Sequence, residues 1–161
     1  MRIACSLGSL LSVEQVIECT KMISETNIDS IWIPETWGME NFSMLGAVSS
    51  ETKSQKIGSS IINIYSRSPS TISMGAATTD ILSNGRLILG LGTSSVPIVE
   101  DFHGNEFETP VQRMREYVEI IRLSLSKKQI NYSGKIFNLK NFTLLIEPKR
   151  QSIPIYLAAI N

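Results

Sequence analysis

GRLILGLGTSSVPIVEDFHG, residues 85–104, is the stretch on which the fold of this chain turns. It opens as a continuous apolar run, carries glycines at 90 and 92, and passes into a hydroxyl-rich loop. An apolar run without alternation belongs to a strand covered on both faces, as in a parallel sheet. Glycines at the end of such a strand invite comparison with a dinucleotide-binding fingerprint, G-x-G-x-x-G between a strand and its helix, usually in the first unit. Gly90-Leu-Gly92-Thr-Ser-Ser lacks the third glycine and sits in the fourth unit, so the fingerprint is not met.

The same pattern recurs on both sides, in RIACSL (2–7), SIWIP (30–34), KIGSSIINI (56–64) and IPIYLAA (153–159). Helical patterns lie between these runs. Ser12 and Gln15 have capping-box spacing, and Val13, Val16, Ile17, Thr20 and Ile23 then share one face. Ser68 before Pro69 reads as an N-cap with proline at the first helical position, and Asn84-Gly85 as the stop. Thr109-Pro110 repeats the device, followed by an apolar stripe of Val111, Met114, Val118, Ile121 and Leu125, with Arg113, Arg115, Glu119 and Arg122 outside it. A weaker helix is expected over 41–54. Strands starting near 2, 30, 56 and 86 are spaced by about 28 residues, the length of a strand–helix unit with short connections. Before the fifth strand, Ser133-Gly134 between Tyr132 and Ile136 predicts a hairpin inserted within 127–147, as a lid or rim.

Composition narrows the function. With 161 residues and 42% apolar content the chain can bury one core. Fifteen basic residues balance fifteen acidic ones with no block of either sign, which leaves no electrostatic footprint for nucleic acid or an anionic membrane. Small molecules or protein are the expected partners. Cys5 and Cys19 are at no metal or redox spacing, and the N-terminus lacks a signal-peptide pattern, so a reduced, cytoplasmic protein is expected. No apolar run approaches the ~20 residues of a membrane span. His103 is the only histidine, so no histidine-rich metal site is expected, and this histidine reads as a loop-shaping residue. Arg67 and Arg86 could contact phosphate, but read rather as surface or capping residues. Two architectures fit the alternation: an open doubly wound sheet, complete at five strands, and a (β/α)8 barrel, which normally needs ~250 residues.

WIPETWG (32–38), IGSSIINIYSRSP (57–69), GRLILGLGTSS (85–95), HGNEFETP (103–110), RMREYVEIIR (113–122) and IPIYLAA (153–159) together resemble the luciferase-like oxidoreductase family. Within it they are most similar to members that use the deazaflavin coenzyme F420, of the methylene-tetrahydromethanopterin reductase type. The resemblance implies a (β/α)8 TIM barrel of about twice this length, with residues 1–161 a single partial barrel domain forming its N-terminal half. The site would then lie at the C-terminal ends of the strands, at 6–9, 35–37, 62–65, 93–95 and 158–160. It implies hydride transfer between coenzyme F420 and a small or pterin-like carbon substrate. The alternatives are an FMN-dependent monooxygenase or a non-catalytic half-barrel module.

The resemblance also assigns residues. Glu35 takes the place of an acidic residue near the ring, where burial beside Trp32 and Trp37 would raise its pKa for proton exchange. Thr36 stands where some relatives have histidine, which puts a strong acid-base role at that position in doubt. Ser60-Ile61 falls where the family has a bulge with a non-proline cis peptide against the ring, and Asn63 would donate to a ring carbonyl. Thr93, Ser94 and Ser95 would bind a ring edge or phosphate; no glutamate stands near Ser95, which argues against acid catalysis of the sugar-phosphate dehydrogenase type. Ala158, Ala159 and Ile160 match a segment whose amides hold the cofactor phosphate. A homo-oligomer, or association with a C-terminal half, is the implied assembly.

Overall fold

In the structure, a computed structural model, residues 1–8, 10–126, 128–150 and 152–159 are described. The expected strands lie side by side and parallel in chain order. Strand β1 (Ala4–Ser6) pairs with β2 (Ser30–Ile33), β2 with β3 (Lys56–Ser59), β3 with β5 (Leu87–Gly92), and β5 with β8 (Ile155–Leu157). The short β4 (Ile62–Asn63) continues the third run and also pairs with β5. This order contains no reversal, which a doubly wound sheet requires. The architecture is the curved half of a (β/α)8 barrel.

Side-chain alternation divides the sheet into two faces. Ile31, Ile33, Ile57, Leu87, Leu89 and Leu91 are fully buried in the core with residues of the helices. The opposite, inner face carries Trp32, Gly58 and Ile88. Trp32 lies across Gly58, where a Cβ would fall 2.5 Å from the indole, and its ring is 5.8 Å from that of Tyr156. Trp32, Ile88 and Tyr156 line an open hollow of about 490 Å³ with Arg2, Asp29 and Lys56.

Four helices cover the outer face: α1 (Val13–Ser24), α2 (Asn41–Glu51), α3 (Pro69–Leu82) and α4 (Pro110–Leu125). The Ser12–Gln15 capping box forms, and Ser68 caps α3 by accepting from the Thr71 amide. At the end of α3, Asn84 and Gly85 both have positive φ, as the stop signal requires. Arg86 spans the gap to the end of α2, donating to Thr52 Oγ1 and to the carbonyls of Ser49, Thr52 and Gln55. Its capping role was legible. Buried Asp80 on α3 pairs with Arg150 at 2.5 Å and also accepts from the Arg150 amide, which ties the segment before β8 to the helix layer.

Several local expectations are corrected. Val13 is exposed, so α1 buries Val16, Thr20 and Ile23. Thr109 has φ 45° and makes no side-chain cap, because the preceding loop enters α4 through a left-handed residue. Val111 is exposed, and α4 instead buries Glu116, Tyr117, Ile120, Ile121, Ser124 and Leu125. Two polar residues enter that face because α4 packs on two partners, the barrel and the inserted hairpin. The hairpin, β6 (Ile130–Ser133) with β7 (Asn138–Phe142), is antiparallel as expected. Its turn is held by the Glu116 carboxylate, which accepts from Gln112 Nε2 and the amides of Lys135, Ile136 and Phe137 at 2.8 to 3.2 Å. The insertion is therefore strapped along α4. Among the described residues no helix is long and apolar enough to cross a membrane.

Candidate functional site

The third run is not one strand. Gly58 faces Ile88 and Ile62 faces Leu91, so four steps on one strand span three on the other, the signature of a bulge. The extra residue falls at Ser60–Ile61, which are joined by a cis peptide bond. Ser60 is exposed there, its amide held by the Ile33 carbonyl at 2.9 Å. The next side chain, Ile61, lies on Gly92. A Cβ at Gly92 would fall 2.6 Å from Ile61 Cγ1 and 3.4 Å from Ala158 Cβ. Three of the expected segments thus meet at one point, the ends of β3, β5 and β8.

Both glycines of the opening stretch now have a physical role. Gly90 lets β5 approach Ser59 so closely that a Cβ would fall 1.9 Å from the Ser59 carbonyl oxygen. Ser59 Oγ fills that approach, donating to the Gly90 carbonyl and accepting from its amide, each at 2.8 Å. Gly92 leaves the space that Ile61 occupies.

Asn63 is 2% exposed. Its Oδ1 accepts from the Tyr65 amide at 2.9 Å, while Nδ2 is buried with no partner among the described residues. A buried donor without an acceptor is costly. Thr93, Ser94 and Ser95 follow β5, with Ser94 at φ 60°. Their hydroxyls make no side-chain hydrogen bond among the described residues. Ala158 and Ala159 are exposed beyond β8, the Ala158 amide bonded to the Leu91 carbonyl. Ile160, and Ser9 in the first of the strand-end loops, lie outside the described residues.

Glu35 is placed differently from expectation. Trp32 faces the inner hollow, one pleat away, so only Trp37 shares a cleft with Glu35. The Glu35 carboxylate is held by Arg67 through two bonds, Oε2 to Nη1 at 2.7 Å and Oε1 to Nη2 at 2.5 Å, and Oε1 also accepts the Asn41 amide at 3.0 Å. Arg67 further bonds Ser66 Oγ and Glu40, which caps α2 through the amides of Phe42 and Ser43. The hydrogen bond to Glu35 raises the Arg67 pKa above its ordinary value against the effect of burial. Burial works to raise the Glu40 pKa, but the bonds from Ser43 and Phe42 and the Arg67 charge bring it below its ordinary value.

This ion-pair cluster is backed by aromatic residues. The Tyr117 hydroxyl donates to the Arg67 carbonyl at 2.6 Å, and burial pushes this phenol up to about 12. Tyr65 donates to the Glu108 carbonyl, stacks on Phe107, and receives the Arg113 guanidinium 4.6 Å above its ring. Glu35, Thr36, Trp37, Gly38, Met39, Glu40, Ser66 and Arg67 then form one side of a cleft of about 210 Å³. Phe102 and His103 form the other, at the end of a π-helix over Ile98–Phe102.

Residues 2–161 match the family described as luciferase-like monooxygenase. The chain belongs to the luciferase-like monooxygenase family. The 5,10-methylenetetrahydromethanopterin reductase of Archaeoglobus fulgidus is 34% identical over 140 residues, which is 86% of this chain and 41% of that enzyme. The coenzyme F420-dependent tetrahydromethanopterin reductase of Methanopyrus kandleri superposes with a TM-score of 0.89 at 22% identity, covering 98% of this chain and 50% of that one. A type II Baeyer-Villiger monooxygenase of Pseudomonas putida, solved with FMN, gives 0.84 at 16% identity over 98% and 51%. These two likenesses establish the fold. The luciferase-like chain spans about half the length of the relatives it matches.

Sequence reasoning missed the clustering of Arg67 and Glu40 with Glu35. A signal was available: Glu35 lies two residues past the end of β2 and Arg67 four past β4, which continues the run begun by β2's parallel neighbour β3, so both loops open to the same end. Opposite charges at such positions are natural partners.

Proposed function

We propose that this luciferase-like chain forms the coenzyme-ring half of an oxidoreductase site that uses deazaflavin coenzyme F420, with hydride transfer to or from a small or pterin-like carbon substrate. The observation that carries the reading is the unpartnered, buried Nδ2 of Asn63 beside the Ser60–Ile61 bulge. It is a donor prepared for a carbonyl on a flat ring. When bound, such a coenzyme supplies the centre that gives or takes the hydride. Ser60 and Ile61 would back the ring, Asn63 would fix its edge, and Thr93, Ser94, Ser95, Ala158 and Ala159 would hold its phosphate end.

In this reading Glu35 and Arg67 form a rigid wall that excludes water and orients the substrate. Proton exchange at Glu35 would require Arg67 to leave its carboxylate. Similarity to a Mycobacterium tuberculosis protein named as a putative coenzyme F420-dependent oxidoreductase, 31% identical over 88% of this chain, favours coenzyme F420 over FMN. Anaerobic titration with F420 and with FMN, read by absorbance and repeated on Asn63→Asp, tests the proposal. Asn63→Asp keeps the acceptor for the Tyr65 amide and removes the donor, so F420 affinity should fall about ten-fold. Tighter binding of FMN would move the assignment to the monooxygenase reading. Binding of neither coenzyme, or equal affinity in the variant, would defeat it.

A further inference from the structure

We propose that the cleft between the 35–40 loop and the π-helix selects a planar, unphosphorylated carbon compound as the hydride partner. This rests on the function proposed above and adds the substrate class. The cleft presents apolar surface from two separate loops, 35–40 and the end of the π-helix. Trp37, 70% exposed, and Phe102, 59% exposed, both line it, together with Met39. Indole and phenyl faces open to solvent offer stacking surfaces for a flat ring.

The charges of the cleft exclude a phosphate. Its lining carries two carboxylates, Glu35 and Glu40, against one guanidinium, Arg67, and one imidazole, His103, with no lysine. Binding a phosphate takes free N–H donors and positive charge. The four Nη protons of Arg67 already face Glu35 Oε1 and Oε2, Glu40 Oε1 and Ser66 Oγ. The lowered pKa of Glu40 keeps it ionised at neutral pH. A phosphorylated sugar would therefore meet two carboxylates and no uncommitted Nη donor, with only the ring N–H groups of Trp37 and His103 to hold it.

Isothermal titration calorimetry of the full chain without coenzyme, using 2-acetylnaphthalene, glucose 6-phosphate and the exposed-site variants Trp37→Ala, Trp37→Phe and Phe102→Ala, tests this. 2-Acetylnaphthalene should bind saturably. Either alanine variant should weaken it about five-fold or more and Trp37→Phe should retain most of the affinity, as loss of a stacking face predicts. Glucose 6-phosphate should give no saturable heat, and Glu40→Lys should create some. The proposal is overturned by absent 2-acetylnaphthalene binding, by its survival in the Trp37→Ala/Phe102→Ala double variant, or by glucose 6-phosphate binding as well as the naphthalene. Because coenzyme is left out, a failed coenzyme titration with intact naphthalene binding would count against the proposed function alone.

Discussion

Replacing each glycine of the opening strand by alanine separates the two tasks assigned to them. At Gly92 the new methyl would sit 2.6 and 2.7 Å from Ile61 Cγ1 and Cδ1. Overpacking of this kind costs ~1–3 kcal/mol, and alanine returns ~0.5–1 kcal/mol of backbone entropy, so a net loss of roughly 1–2 kcal/mol is expected. Ile61→Ala removes both clashing atoms, leaving Ala158 Cβ at an ordinary 3.4 Å. In that background Gly92→Ala should be neutral or stabilising, giving a coupling of about 1–3 kcal/mol in the double-mutant cycle. At Gly90 the obstacle is the Ser59 backbone oxygen at 1.9 Å. No rotamer relieves it, and both Ser59–Gly90 hydrogen bonds go with the displaced strand, so the loss should reach ~3 kcal/mol or more. Urea unfolding followed by circular dichroism, with m of ~1–3 kcal/mol/M, resolves these differences. A coupling below about 0.5 kcal/mol, the limit of ordinary additivity, or a Gly90→Ala variant no less stable than Gly92→Ala, would refute the reasoning.

Two further outcomes are expected. Burial works to raise the Glu116 pKa, but the bonds from Gln112 and the amides of Phe137, Lys135 and Ile136 bring it below its ordinary 4.5. A depressed folded-state pKa gives stability that is present above the unfolded value and lost as pH falls through the folded one. Stability should therefore drop below about pH 4.5, and Glu116→Gln should flatten that acid limb in urea midpoints measured from pH 3 to 7; an unchanged limb would remove Glu116 as its source. Helix α3 exposes Met74, Ile81 and Leu82, and its single charge, Asp80, is buried. We expect self-association through this uncharged face, so Met74→Glu/Leu82→Glu should lower the molar mass seen by light scattering, and an identical mass for both proteins would place the contact elsewhere.

What could be read along the chain was whatever depends on neighbours within about one turn or one pleat. The capping box at Ser12 and Gln15, the Ser68-Pro69 start and the Asn84-Gly85 stop all form as expected, because each satisfies backbone groups within a few residues. Continuous apolar runs at regular intervals likewise gave parallel strands, but left their order open between a barrel and a doubly wound sheet; the pairing in chain order is decided by the tertiary structure. The bulge at Ser60–Ile61 had no local signal, since SSIIN reads as plain strand, and only likeness to a family located it. The tertiary structure alone decided the rest. Trp32 and Glu35 are three residues apart, yet the pleat turns one into the inner hollow and leaves the other in the mouth cleft. Glu35 meets Arg67 across 32 residues, Ser59 meets Gly90 across 31, and Glu116 reaches the hairpin turn across 19 to 21. Backbone dihedrals and hydrogen-bond range fix what happens within a turn of helix. Which side chains share a buried volume depends on how whole faces pack, and no single segment carries that information.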